Sequence, residues 1–330
     1  FGKRGGPEYL IGSGNIVHEA AGFEAWESWM GIPHDVYTVW TGQRAVHTWD
    51  DLANPRVGPK FVNAVQDLPT DVLLVHSMAM VPASEPESTK DCPNGTSTDT
   101  PWPEIANGDF DTYYSKFASN VKAFLKANGR DGSRYVLRLG WEMNGDWYPW
   151  SICGDAKNFK LAWARIVTVM RAQFPNLTFD FSPARRNGQG IGKIANWIPD
   201  SNYWDIISRS THDSPKNGST VVDQDTWEFN HLSNSQSDVT SLDDIDALAA
   251  KENRWMALTE WASPYRDCEG NHIAASDVSL FIRYSYNWLQ RNKDRVAYAA
   301  WFSVACTQLH GRKSSEESIL FKACFADGRC

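Results

Sequence analysis

Short apolar or β-branched runs alternate along the chain with longer stretches whose apolar residues recur every three to four positions. The short runs predict strands over residues 9–11, 36–40, 72–76, 135–140, 178–181, 204–208, 255–259 and 296–302. Several are apolar almost throughout, the pattern of parallel strands covered on both faces. Between them, residues 111–127 place Tyr114, Phe117, Val121 and Phe124 on one side of a helix. Residues 159–174 do the same with Leu161, Ile166, Val169 and Met170. Further helices are predicted over 244–251 and over 278–290, the latter with Ser276 as its capping residue. Strand followed by helix, repeated, argues a parallel sheet. Eight such repeats point to an α/β fold, a single (β/α)8 (TIM) barrel domain over residues 1–330; a doubly wound open sheet is the alternative. Two long polar connections, 81–110 and 211–242, each follow a strand candidate. In a barrel they become long loops on the C-terminal face, where barrels build their function.

Composition narrows the classes. Over 330 residues, 32 Lys+Arg stand against 40 Asp+Glu, a formal balance of −8 with no basic stretch. That argues against nucleic acid as a partner, since phosphate neutralisation by Lys and Arg dominates such binding. Hydrophobic residues at 42% and charged ones at 22% exclude a disordered chain. The longest apolar run, 296–306, is shorter than the roughly 18–20 residues of a membrane helix, so no membrane partner is expected. The unusual figure is 16 Trp beside 15 Phe and 11 Tyr. A core needs few Trp, because each brings an N–H that wants a partner; the excess suits a ligand with apolar C–H faces and hydroxyl edges, as a sugar has.

Six cysteines (Cys92, Cys153, Cys268, Cys306, Cys324 and Cys330) form no CxxC pair and no Cys/His spacing suited to zinc. No metal and no cofactor is therefore expected, and an even count reads as disulfides of a secreted, extracellular protein. Asn94, Asn176 and Asn217 head glycosylation triplets, and the chain opens at Phe1 as a mature form does once a signal peptide has been removed.

The candidate chemistry sits where two predicted strands end. The fourth runs Tyr135-Val-Leu-Arg138-Leu-Gly-Trp141-Glu142-Met-Asn144-Gly-Asp-Trp147-Tyr-Pro-Trp150, and the seventh Trp255-Met-Ala-Leu-Thr-Glu260-Trp261. Glu is disfavoured in strands and almost never fully buried unpaired. A core arginine such as Arg138 could satisfy one such acid. Two of them at one barrel mouth, among tryptophans, point instead to the carboxylate pair of a glycosidase. A serine hydrolase fits poorly, because Ser182 lacks the Gly-x-Ser-x-Gly elbow. The glycines at 188, 190 and 192 lack the Lys-Ser/Thr of a phosphate loop.

The fourth-strand stretch resembles that of the (β/α)8 retaining glycoside hydrolases of clan A, and most of all glycoside hydrolase family 26, the β-mannanase family. The family motif Arg-x-x-(His)-Glu-Met-Asn-Gly-x-Trp-x-x-Trp is matched here by Arg138, Glu142, Met143, Asn144, Gly145, Trp147 and Trp150. The resemblance implies Glu142 as acid/base and Glu260 as nucleophile of an endo-acting, retaining hydrolase of β-mannan or a related polysaccharide or oligosaccharide. It further implies that His76, at the end of the third strand, touches the sugar, that Trp301 forms a floor beneath it, and that Trp147 and Trp150 line neighbouring subsites. Arg138 and Asn144 belong to the same motif; Trp261 and Tyr265 flank Glu260 and are candidates for the cleft.

Two positions depart from the family. Trp141 stands where the family has His, and after the sixth strand His212 is the candidate replacement for a Tyr that hydrogen-bonds the nucleophile. Both departures put mannan itself in question and leave room for a divergent relative acting on another glycan. Adjacency of the loops suggests disulfides Cys92–Cys153, Cys268–Cys306 and Cys324–Cys330. Two other readings stay open on sequence: a carbohydrate-binding barrel without turnover, and an inverting hydrolase.

Overall fold

The computed structural model describes residues 9–14, 19–42, 44–83, 100–185, 191–213, 221–232, 239–263, 278–303, 307, 309 and 315–330. Eight strands close into a barrel in chain order: β1 (Leu10–Gly14), β2 (Val36–Thr41), β3 (Leu73–Met78), β4 (Tyr135–Leu139), β5 (Thr178–Phe181), β6 (Ile206–His212), β7 (Trp255–Ala262) and β8 (Val296–Phe302). β8 returns to pair in parallel with β1, Leu10 opposite Tyr298 and Gly14 opposite Phe302. α1 (Glu19–Met30) leads from β1 to β2; α2 (Trp49–Ala53) and α3 (Pro59–Asp67) precede β3; α4 (Trp102–Asn107) and α5 (Asp111–Ala127) precede β4. α6 (Ala156–Gln173) joins β4 to β5, whereas the described residues between β5 and β6 make only short 3-10 turns. α7 (Gln224–Trp227) runs straight into a π-helical turn, Glu228–Leu232, before α8 (Leu242–Glu252) and β7. α9 (Val278–Arg291) precedes β8, and α10 (Glu316–Phe325) follows it.

The barrel expected from the alternating pattern is thus the fold observed. β5 and β8 match their predicted spans, while β6 starts two residues later than expected and both β6 and β7 continue further, to His212 and Ala262. The helical face of α6 also differs. Its buried side is Phe159, Ala162, Trp163, Ile166, Val167 and Met170, and Leu161 is turned outward at 52% exposure. Trp163, a poor marker of periodicity because it is amphipathic, takes the core position against Phe181 at 5.0 Å. Of the two long connections, 81–110 contains α4 and 211–242 contains α7 and the π turn.

Chain contacts group into two compact units, one built on residues 39–208 and the other on the N-terminal residues with most of the chain after 209. In the first, α5 buries Tyr114, Phe117, Val121 and Phe124 as its periodicity predicts. Arg130, just beyond α5, closes the end of α3. Its guanidinium donates to the carbonyls of Ala64, Val65 and Leu68 at 2.7–3.0 Å. These are last-turn carbonyls without helical partners, and they carry the negative end of the helix dipole. Burial lowers the Arg130 pKa to about 10, which leaves it charged at neutral pH.

In the second unit, α10 lays Phe321 and Phe325 against Trp261, with ring centroids 5.7 and 5.4 Å away, and Phe321 also meets Trp301. α8 starts with a capping box in which Ser241 and Asp244 bond each other's backbone N–H. Cys324 and Cys330 form the disulfide expected for the C-terminus. Cys153 is disulfide-bonded too, while Cys92, Cys268 and Cys306 lie outside the described residues.

Candidate active site

Glu142 lies three residues beyond the end of β4, in a backbone conformation that few side chains adopt. Its φ is +55°, in the left-handed region where a Cβ crowds the following carbonyl. The strain is held by hydrogen bonds on both sides. The Glu142 N–H donates to Ser182 O at 2.7 Å and the Gly145 N–H to Glu142 O at 2.9 Å. Asn144 adds a two-way clamp to Ala184, accepting from its N–H at 2.7 Å and donating to its carbonyl at 3.0 Å. The turn after β4 is thereby fixed to the turn after β5.

The carboxylate of Glu142 is itself held. The indole N–H of Trp147 donates to Oε2 at 3.0 Å. The chain can fold back this far because residue 145 is glycine: a Cβ there would sit 2.4 Å from the Trp147 ring. Behind it, Trp150 is fully buried, donates to Trp141 O at 2.8 Å and stacks on Tyr148 at 4.6 Å. Trp141 donates in turn to the Tyr148 hydroxyl at 3.1 Å. Tyr148 escaped the sequence reading, although the Trp147-Tyr-Pro-Trp150 run is a visible aromatic cluster.

Glu260 owes its position to an irregularity in β7. Leu258 is opposite Ala299 and Trp261 opposite Trp301, so β7 spends three steps where β8 spends two. The extra residue makes Thr259–Glu260 a β-bulge, a device that re-aims a side chain and recurs beside active sites. The ring Nε2–H of His212, the last residue of β6, donates to Glu260 Oε2 at 3.3 Å. This is the contact expected from its place in the sequence. Glu260 is 6% exposed and Glu142 9%, so neither is freely solvated.

Other candidates serve elsewhere. His76 is fully buried and stacked on Phe61 at 4.0 Å. Its Nδ1 bonds the Tyr135 hydroxyl at 2.8 Å and its Nε2 the Thr41 hydroxyl at 2.9 Å. Burial drives its pKa down to about 3, so it is neutral. Arg138 is equally buried and donates to Ser182 Oγ at 2.8 Å and Ser77 Oγ at 3.2 Å. Trp261 and Trp301 pack edge to face at 4.7 Å inside the aromatic cluster, 0% and 1% exposed. The Trp301 indole donates to Thr307 O at 2.7 Å. Tyr265 lies outside the described residues.

With the geometry in hand, comparison with known proteins locates the fold. No protein-family model matches the chain. The B. subtilis structures "mannanase man26" and "YdhT protein" superpose with TM-scores of 0.62 and 0.63 at 15% and 16% identity. Each match covers 96% of this chain and 86% of the other. The catalytic domain of the Bacillus sp. JAMB-750 GH26 endo-beta-1,4-mannanase gives 0.60 at 15% identity, covering 97% of this chain and 85% of that one. In fold, the chain is similar to the family 26 mannanases. By sequence, 210 residues (60% of the chain) are 27% identical to Endoglucanase H of Acetivibrio thermocellus, and the match spans 20% of that protein's length.

Proposed function

We propose that this chain is a glycoside hydrolase that cuts within a polysaccharide backbone by double displacement. Glu260 attacks the anomeric carbon as the bond to the leaving oxygen breaks, and Glu142 delivers its proton to that oxygen. In the second step Glu142 takes a proton from water, the water oxygen bonds the anomeric carbon, and the glycosyl ester on Glu260 is released. The observations that carry this reading are two buried acids, one just past β4 and one on the bulge of β7, each with a ring nitrogen on its carboxyl group: Trp147 on Glu142 and His212 on Glu260. A retaining mechanism needs the two carboxyl groups about 5–5.5 Å apart, whereas an inverting one needs about 6.5–9.5 Å to admit the water. His212 steadies the attacking carboxylate, and Trp147 orients the acid/base.

For substrate, we favour a β-linked mannan or a related backbone. The fold likeness to mannanases and the sequence likeness to an endoglucanase both support a hexose polymer. Trp141 in place of the family's histidine argues for a divergent choice among them. Action outside the cell accords with the disulfides, which persist in oxidising compartments. Among the described residues, no helix is long and apolar enough to cross a membrane.

The test is hydrolysis of a panel of mannans, glucans, xylans and microbial exopolysaccharides, with the product anomer followed by NMR. Glu142→Ala and Glu260→Ala are each expected to lower turnover by at least about a thousandfold, and the first-formed anomer to match the substrate. Near-normal turnover in either variant would remove the assignment. An inverted product would reassign Glu260 as a base. Polymer binding without any turnover by the unmodified protein would favour a carbohydrate-binding barrel.

A further inference from the structure

The segment after β6 and the outer face of α9 line a groove of about 410 Å³ to which neither acid contributes. Its walls include Trp227 and Glu228 on one side and Tyr284, Asn287, Gln290 and Arg291 on the other. Tyr284, Asn287 and Arg291 follow at i, i+3 and i+7, which places them in one row along α9. The Tyr284 ring is half-buried and stacked on Trp227 at 6.0 Å, 29° from parallel. A ring braced this way loses little freedom when a ligand settles on it.

The opposite wall is built with equal care. It is the π-helical turn Glu228–Leu232, a form that is rare and concentrates at functional sites. Arg209, fully buried on β6, pins that turn from inside by donating to His231 O at 3.2 Å, and its NH2 group approaches His231 Nδ1 at 3.3 Å. His231 in turn packs on Trp227 at 4.9 Å. On the outer wall, Gln224 donates to Glu228 Oε1 at 2.7 Å, aligning an amide and a carboxylate. Next along the turn, Phe229 stands 54% exposed.

We infer that this groove is a second carbohydrate-binding site, one that holds a stretch of polysaccharide at a distance from the reacting bond. The inference rests on the glycoside hydrolase reading for its choice of polymer, and on the groove for its chemistry. A braced aromatic face suits the C–H surface of a pyranose, while amides, a carboxylate and a guanidinium offer the paired donors and acceptors that vicinal hydroxyls demand. The volume suits a ligand of a few sugar rings. The mixed charge of Glu228 and Arg291 disfavours a strongly ionic partner.

The experiment is affinity electrophoresis of the full chain carrying Glu260→Gln, through gels containing galactomannan, glucomannan, mixed-linkage glucan or xylan. Tyr284→Ala, and separately the exposed pair Asn287→Ala/Arg291→Ala, are compared with that parent, and thermal unfolding checks that each is folded. Each change is expected to weaken retardation at least about fivefold on the polymer that retards the parent most. Retardation equal to the parent's in the Asn287/Arg291 variant and in folded Tyr284→Ala would overturn the inference, as would a parent retarded by none of the gels. Hydrolysis by the unmodified protein is scored separately, so loss of the catalytic reading and loss of the groove give different results.

Discussion

Glu142 combines an acid with a backbone angle that favours glycine, and the two facts pull stability and function apart. Its φ of +55° costs on the order of 1 kcal/mol that glycine would not incur. Glu142→Gly should therefore unfold at a higher urea concentration than Glu142→Ala, with both inactive; equal midpoints would show that the angle relaxes at no cost. Trp147→Phe keeps the ring and removes the donor to Oε2. Loss of this hydrogen bond, about 0.5–1.5 kcal/mol, is expected to lower kcat roughly twofold to tenfold with a smaller change in KM. A kinetic titration on the best substrate of the panel decides this. Glu142 and Glu260 stand out in the sequence because acids at the ends of apolar runs have few other uses. The left-handed angle, the glycine-dependent approach of Trp147 and the burial of His76 do not, since each depends on atoms distant in sequence.

At the level of elements, the pattern located every strand but stopped β1, β6 and β7 three or four residues short. β7 continues through Glu260 to Ala262 because the pairing with β8 survives a bulge, and the polar Thr259 and Glu260 at that bulge read in the sequence as the end of the apolar run. α6 was found with its face partly misassigned, because Leu161 and Trp163 compete for one side and only packing against Phe181 settles which turns inward. Arg130 presents the opposite case: an arginine after a helix has no sequence signature for the task it performs. It ties three last-turn carbonyls of α3 to the start of the β4 segment. Arg130→Ala is expected to lower stability by about 2–4 kcal/mol, with Arg130→Lys recovering only part, since an ammonium cannot fork among carbonyls. Chemical denaturation of the two variants measures both effects.

The molecule as a whole carries a buried neutral histidine, and this has a pH signature. His76 has a pKa near 3 in the fold against an ordinary histidine's 6.5, because burial disfavours its charged form, so below pH 6.5 the unfolded chain takes up a proton that the folded one refuses. Its contribution is fully present above that pH and declines towards pH 3, by up to about 1.4 kcal/mol per unit. His76→Gln should therefore destabilise the protein at pH 7 and lose much of that deficit near pH 4.5, as read from urea midpoints at the two values; a constant gap would assign the effect to packing alone. From the sequence alone came the barrel, its strand order and the pair of acids, because these follow from local periodicity and from the scarcity of reasons to place Glu at the end of an apolar strand. Tertiary structure decided which aromatic rings are core, which histidine meets Glu260 and which hydrogen bonds hold each carboxylate, because burial and contact are set by partners that the closed barrel brings in from remote parts of the chain.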